Sequence, residues 1–368
     1  MGVFCCATII HRREGLTPIF KRVALEKMCS FPIRPPGGKV MDIQFDWPHV
    51  IYSQQEKFSA DWLTKEFFPQ AREMKPIVAS GGCDMLRGKR AVSLFYQSST
   101  RTAGSLAFAM DFLGGRVVFS TDNAREFSSA SKGETLEDSI RVWNRFSPDI
   151  IFLRYDREIG AEIAASVSRV PIINAGDRQP KGAPLSPFSG QHPTQAFLDV
   201  FTIQEMLGGI DGISIAMVGD LINGRTVRSL SYLLGKFSGV TIYYVSPKNA
   251  RMRQDVKDYL DRHSVIWREE TDLREVASCV DVVYQTRTQK ECGTEIDRND
   301  RNLGYFMVDG AILKMMKRDS IIMHPLPRVD EIAPEVDSDP RAVYLKDQID
   351  SGLYTRMALL KMILAPYT

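Results

Sequence analysis

Ala91-Val92-Ser93-Leu94-Phe95-Tyr96-Gln97-Ser98-Ser99-Thr100-Arg101-Thr102 passes from an apolar run into a hydroxyl-rich one. Ala91 to Tyr96 has the length and apolar continuity of a buried strand. Ser99 to Thr102 then opens a helical pattern over Ala103 to Leu113. The same order recurs along the chain. Strand-like runs at Val117 to Ser120, Asp149 to Leu153 and Val170 to Asn174 form a first group with Ala91 to Tyr96. Ile213 to Val218, Val240 to Val245, Val280 to Tyr284 and Ser320 to Met323 form a second. Helical patterns separate them, among them Leu136 to Phe146, Arg225 to Phe237 and Val256 to Arg262. Such alternation predicts parallel sheets covered on both faces. The fold class expected is therefore α/β: two doubly wound parallel-sheet domains joined by helices. The apolar segment Leu353 to Leu364 is expected to be a C-terminal helix packing back on the first domain.

In open parallel sheets, ligands bind outside the carboxyl ends of the strands. Four other polar motifs stand where such ends fall: His192-Pro193-Thr194-Gln195, Gly224-Arg225-Thr226, Arg287-Thr288-Gln289 and His324-Pro325-Leu326-Pro327-Arg328. Arg101, Arg225, Arg287 and Arg328 bring guanidinium groups to that mouth, which suits phosphate or carboxylate held at two points. Ser99, Thr100, Arg101 and Thr102 make a compact phosphate cradle at a helix start, although Ser and Thr are also plain capping residues. His192 and Gln195 share a helix face and could hold a carbonyl and its amide. Arg287 and Gln289 alternate on an extended segment and point the same way, as a carboxylate clamp requires. The polar segment Phe127 to Thr135, hinged at Gly133, reads as a mobile loop delivering Lys132 to an anion.

Several classes are excluded. Gly219 and Gly224 lack the glycine spacing of a dinucleotide turn. No nucleophile elbow, Cys–His pair or metal-ligand cluster is present, so no cofactor and no metal is expected. Lys plus Arg number 47 and Asp plus Glu 45, a net charge of +2 that gives no electrostatic case for a nucleic-acid or membrane-surface partner. No apolar stretch is long enough for a membrane helix. Cys5, Cys6, Cys29, Cys83, Cys279 and Cys292 show no disulfide framework and read as free thiols of a reducing compartment. Residues 1–40 fit poorly with the rest. They hold few serines and include Glu14 and Glu26, unlike a transit peptide, and Cys6 stands where a myristoylation signal needs Ser or Thr. An extension is the simplest reading.

Taken together, these motifs resemble those of the carbamoyltransferase family, and most closely its aspartate branch. The likeness runs from about residue 90 to the end. Pro325 where ornithine enzymes have Cys, and the Arg287–Gln289 pair, favour aspartate as acceptor. The resemblance implies that Ser99, Thr100, Arg101 and Thr102 bind the phosphate of carbamoyl phosphate. It implies that Thr102, Arg154 and His192 face the carbamoyl oxygen. Gln195 and the backbone carbonyls of Leu326 and Pro327 would hold the carbamoyl NH₂. Arg225, Arg287 and Gln289 would grip aspartate, with Leu326 beside it. Lys132 would reach both ligands of a neighbouring subunit, which makes a homotrimer with shared sites. The implied domains are 41–190 for carbamoyl phosphate, with 350–368 returning to it, and 191–349 for aspartate. The implied product is N-carbamoyl-L-aspartate, for pyrimidine (UMP) synthesis. A carbamoyltransferase for another amine and a non-catalytic carbamoyltransferase-like subunit are the competing readings.

Three departures from the family pattern stand out. Ala103 and Ala107 replace an Arg and a Glu together, so no single charge is left unpaired. Ser131 stands where many members have a second basic or a small residue. Arg178 to Gly190 is longer than the usual connection. Asn123 to Ser129 is similar to the plant form of this loop, which implies inhibition by uridine monophosphate (UMP) at the active site. Location is expected to be cytoplasmic, or plastid for a plant-type enzyme.

Overall fold

The computed structural model describes residues 47–178, 190–287 and 306–365. Helices α1 (Ala60–Trp62) and α2 (Phe68–Ala79), joined by a π-helical turn at Leu63–Phe67, lead into the first sheet region. This comprises β1 (Arg90–Phe95), α3 (Thr100–Phe112), β2 (Arg116–Asp122), α4 (Ala124–Phe127), α5 (Leu136–Arg145), β3 (Ile150–Tyr155), α6 (Gly160–Val167) and β4 (Ile172–Asp177). Helix α7 (Pro193–Leu207) leads to the second. There β5 (Ser214–Val218), α8 (Arg225–Leu234), β6 (Thr241–Val245), α9 (Gln254–Arg262), β7 (Ile266–Glu270), β8 (Val282–Gln285), α10 (Gly310–Met315) and β9 (Ile321–Met323) precede the last helix, α11 (Asp347–Leu364).

Both sheets are parallel throughout, in the orders β2-β1-β3-β4 and β7-β6-β5-β8-β9. The doubly wound α/β expectation holds. The strand order reverses between β1 and β3 in one sheet and between β5 and β8 in the other, and a crevice opens at such a switch point. Ser99 to Thr102 follow β1, and Arg154 lies on β3. Gly219 to Arg225 follow β5, and Thr286-Arg287 follow β8. Strand β7 was not foreseen. It lies at a sheet edge, and its sequence, Ile-Trp-Arg-Glu-Glu, has no apolar run because no residue of it is fully buried.

Two sheet edges are covered. Val50 adds a parallel bridge to Ile173 beside β4, and Ala342 does so to Ile322 on β9. Helix α7 is apolar nearly all round and buried from Pro193 to Ile203, as a helix between two layers must be. Gly208, at φ +79°, ends it. Phe197 of α7 packs edge-on to Phe58 at 4.8 Å, and Phe201 packs on Phe68 at 5.7 Å. Helix α11 lies against α2, α3 and α7, so the C-terminal helix does return to the first sheet region. It begins at Asp347, six residues before its apolar stripe becomes visible in sequence.

Gly219 shows how closely β5 and β8 approach. It sits at φ +116°, and a Cβ there would lie 2.4 Å from the Thr286 carbonyl oxygen. Gly219→Ala is expected to destabilise the chain by about 2–4 kcal/mol, from strain and a backbone clash. Urea unfolding measures this; a loss under about 0.5 kcal/mol would mean that the two strand ends separate freely.

Candidate active site

Helix α3 starts at Thr100 with Ser99 as its cap, yet the Ser99 side chain does not cap the helix backbone. Its hydroxyl donates to Thr102 Oγ1 at 3.0 Å, and its own N–H donates to Asp122 Oδ1 at 3.1 Å. The hydroxyl pair and the first-turn N–H groups therefore face the mouth of the sheet, the arrangement that suits an anion. Thr102 is buried, whereas Thr100 and Arg101 are exposed. The helix forms without the Arg–Glu pair that Ala103 and Ala107 replace.

Arg154, His192 and Arg225 converge on Gly176, near the carboxyl end of β4. A Cβ on Gly176, at φ +113°, would stand 2.7 Å from Arg154 Nη1, 3.3 Å from His192 Cδ2 and 3.5 Å from Arg225 Nη1. Only glycine leaves room for this group. Arg154 is buried and donates from Nη1 to the Ala175 carbonyl at 3.0 Å. Arg225 reaches over from the second sheet to Gln97 Oε1 at 3.1 Å and the Asp177 carbonyl at 3.4 Å. Burial, then repulsion from Arg225, drives the Arg154 guanidinium well below its ordinary value, against the pull of Asp122 and Asp177. A guanidinium stays charged even so. Two such groups close together, one buried and one half-buried, favour an anion between them. Burial pushes the Asp177 carboxyl up to about 6, although the Gln191 N–H and the Asn174 amide support its charge.

His192 is the cap residue of α7, with its N–H on Ser229 Oγ at 2.8 Å. Burial first, then Arg154, Arg225 and Arg356, hold its imidazole well below the usual histidine value. The ring is neutral. The Thr194 hydroxyl lies 3.3 Å from Nδ1; a proton donated there leaves the ring proton on Nε2. Gln195 and Asp199 follow on the same helix. Asp199 is fully buried and accepts from Gln195 Nε2 at 3.0 Å, Gln348 Nε2 at 2.8 Å and the Tyr284 hydroxyl at 2.7 Å. Burial raises its carboxyl to about 7 in spite of those three donors.

The segment after β9 folds on His324. The Leu326 N–H donates to His324 Nδ1 at 2.7 Å, so Nε2 carries the proton and meets Glu331 Oε1 at 2.7 Å. Burial alone would raise the Glu331 carboxyl, but His324 and the backbone N–H groups keep it below the usual range. Leu326 is left-handed, at φ +52°, and precedes a cis peptide bond to Pro327. Arg328 corrects the expectation of four converging motif arginines. It forms a two-point ion pair with Asp337 and donates to the Tyr344 hydroxyl at 3.0 Å. Arg154, outside every polar motif, takes the place beside His192 instead.

The segment around Lys132 is not a plain loop. Helix α4 and a 3₁₀ turn at Ser129–Lys132 precede Gly133, at φ +96°, and Lys132 is exposed. Arg125 of α4 is tied to Asp156 at 2.9 and 2.6 Å. Arg287 is half-buried just beyond β8. Gln289, most of the 178–190 stretch and residues 1–40 lie outside the described residues. Sequence reasoning missed Asp122, Gly176, Asp177, Asp199, Tyr284 and Gln348. Asp199 alone had a legible signal, a carboxylate inside the apolar run Ala196 to Phe201. Among the described residues no group of three or more His, Cys, Asp or Glu is placed to hold a metal.

Two parallel α/β sheets with polar loops, and with buried Arg154 and half-buried Arg225 at their switch points, define a group-transfer site for anionic substrates. Two family models match in tandem: "Aspartate/ornithine carbamoyltransferase, carbamoyl-P binding domain" over residues 54–205, and the corresponding "Asp/Orn binding domain" over residues 211–363. The chain belongs to the aspartate/ornithine carbamoyltransferase family. It is 50% identical over 323 residues to a chloroplastic aspartate carbamoyltransferase of Arabidopsis thaliana, covering 87% of this chain and 79% of that one. It is 41% identical over 301 residues to an aspartate carbamoyltransferase catalytic subunit of Methanopyrus kandleri, covering 82% and 93%. A crystal structure of Trypanosoma cruzi aspartate transcarbamoylase with carbamoyl phosphate and aspartate superposes with a TM-score of 0.76 at 36% identity, covering 86% of this chain and 95% of that one.

The depressed imidazole has a consequence for pH. A histidine whose folded value lies below its unfolded one, about 6.5, contributes stability that is complete above that pH and declines as pH falls below it, because the unfolded chain takes the proton first. NMR titration of His192, assigned by comparison with His192→Gln, is expected to show a neutral ring at pH 6. A protonated ring at that pH would contradict the site's electrostatics.

Proposed function

We propose that this chain transfers the carbamoyl group of carbamoyl phosphate to the amine of L-aspartate, giving N-carbamoyl-L-aspartate and phosphate, a step of pyrimidine synthesis. The observation that carries this reading is the convergence of Arg154, His192 and Arg225 on Gly176. Ser99, Thr100, Arg101 and Thr102 hold the phosphate. Thr102, Arg154 and the Nε2–H of neutral His192 donate to the carbamoyl oxygen, whose charge grows as the amine adds to carbon. Preorganised donors at such an oxygen act mainly on the transition state. Gln195 and the carbonyls of Leu326 and Pro327 accept from the carbamoyl NH₂. Arg225, Arg287 and Gln289 bind the aspartate carboxylates. The N–C bond forms, the C–O bond to phosphate breaks, and the leaving phosphate takes the amine proton, so no side-chain base is required.

The T. cruzi relative has been crystallised with carbamoyl phosphate and aspartate and with N-(phosphonacetyl)-L-aspartic acid, which supports the same substrates here. Relatives named chloroplastic support a plastid location. The plant-like Asn123 to Ser129 segment extends the reading to UMP as an inhibitor competing with carbamoyl phosphate, which inhibition kinetics would show. Carbamoyl transfer measured with aspartate and ornithine side by side is the direct test, with aspartate alone expected to react. Arg287→Ala should raise the aspartate KM by about one to two decades, the cost of a charge-assisted pair, and leave carbamoyl phosphate binding nearly unchanged. Equal weakening of both substrates would remove Arg287 from the acceptor site.

The active unit is proposed to be a homotrimer in which Lys132 completes a neighbour's site. Edge strand β2 is exposed or half-exposed along its length, and its Phe119 lies 4.5 Å from the Trp143 ring, which in turn meets exposed Phe146. An apolar sheet edge of this kind suits a subunit contact. Mixing Arg101→Ala with Lys132→Ala subunits, each nearly inactive, should restore up to about one third of wild-type activity, because some sites then carry neither lesion. No recovery after proven subunit exchange would exclude shared sites.

A further inference from the structure

We propose that Asp199 is a positioning residue that makes the site read the NH₂ of a carbamoyl group, by setting which end of two buried amides faces the crevice and the loop beside it. The inference rests on the assignment of Gln195, Leu326 and Pro327 to that NH₂.

A primary amide has a donor end and an acceptor end of nearly equal shape, and packing alone does not choose between them. A carboxylate only accepts, so it does choose. Gln195 gives its Nε2 to Asp199 Oδ1, which leaves Oε1 as the free end and makes it an acceptor for an N–H. Gln348 gives its Nε2 to the same oxygen, so its Oε1 is the end that receives the His324 N–H, at 2.9 Å. That bond fixes the start of the segment whose Leu326 and Pro327 carbonyls are the other NH₂ acceptors. One buried oxygen atom thus orients both acceptor sets.

The other Asp199 oxygen takes the Tyr284 hydroxyl of β8, which also meets the Gln195 side chain. The positive charge nearest in kind is Arg356 of α11. It is buried, donates from Nη1 to the Gly352 carbonyl at 2.9 Å, and stabilises the Asp199 charge. A Cβ on Gly352 would lie 2.8 Å from Arg356 Nη1, so this helix too makes room for the arrangement. Both glutamines use one oxygen, so an asparagine at 199 keeps its Oδ1 towards them and turns its Nδ2 to the Tyr284 hydroxyl. A leucine at 199 leaves both amides without that acceptor.

Acetyl phosphate carries a methyl group where carbamoyl phosphate carries NH₂, and inorganic phosphate carries neither. Calorimetric binding of the three to the intact assembly separates the NH₂ acceptors from the phosphate cradle. Asp199→Leu removes the shared acceptor and is expected to lower the carbamoyl-over-acetyl preference by roughly ten- to thirty-fold, the effect of two misdirected hydrogen bonds. Phosphate affinity should stay within about twofold. Asp199→Asn retains an oxygen for both glutamines and should keep the preference within about threefold, even where the Tm falls. If Asp199→Leu fails to fold, Gln348→Met decides; it removes the bond to Asp199 and the acceptor for the His324 N–H, and a drop of roughly three- to tenfold is expected. A folded Asp199→Leu with the wild-type preference would overturn the inference, as would a loss in Asp199→Asn as large as in Asp199→Leu, or an unchanged preference in Gln348→Met. Gln195→Met serves as the separate control. If it leaves the preference intact, the placement of the carbamoyl NH₂ is wrong, and the fault lies with the reading of the site rather than with Asp199.

Discussion

Positive charge held out of water beside one glycine is the constraint on which the rest of the structure turns. Arg154 and Arg225 approach Gly176 from different sheets, and His192 joins them from the start of α7. Withdrawing a guanidinium from water is costly unless hydrogen bonds and opposite charge replace its hydration. Here the Ala175 carbonyl, Gln97 and the Asp177 carbonyl supply hydrogen bonds. Asp122 and Asp177 supply negative charge. The histidine meets the same field by staying neutral. What these groups do not offset is left for an anionic substrate, and this couples binding affinity to the architecture of the crevice.

That architecture depends on α7 and α11. Helix α7 is buried along most of its length and carries His192, Gln195 and Asp199 on successive turns. The aromatic side chains of Phe58, Phe68, Phe197 and Phe201 lock its far side. Each such pair adds about 0.5–1.5 kcal/mol beyond burial. Helix α11 brings Gln348 and Arg356 to the same place. Asp199 is therefore reached from α7, β8 and α11 at once. A displacement of either helix would be felt both by the amide acceptors and by the segment leading to Arg287.

The glycines record the same geometry from the backbone side. Gly176 admits three cationic or imidazole groups, and Gly219 lets β5 meet the end of β8. In sequence, Gly219 and Gly224 invite a dinucleotide reading that their spacing denies. In the fold each has a packing reason: Gly224 would strike Val227 Cγ2 at 2.5 Å, and Gly219 would strike Thr286. Close approach of two strand ends accounts for Gly219, and the tight entry into α8 accounts for Gly224.

The sequence by itself determined the parallel α/β class, because apolar runs of strand length alternated with helical periods. It also determined most of the ligand-facing residues, because Ser99 to Thr102, His192 to Gln195 and Arg225 are contiguous motifs at strand ends, where chemistry and position are written together. It did not show the edge strand β7, whose exposure erases the apolar signal, nor that Arg328 would turn to Asp337; Arg154 came from the family resemblance and from no motif. Only the tertiary structure decided that Asp122, Asp177, Asp199, Tyr284 and Gln348 belong to the site. Asp177, Asp199, Tyr284 and Gln348 acquire their roles when burial removes water and leaves distant side chains or backbone groups as their hydrogen-bonding partners, and exposed Asp122 acquires its role by accepting the distant Ser99 N–H.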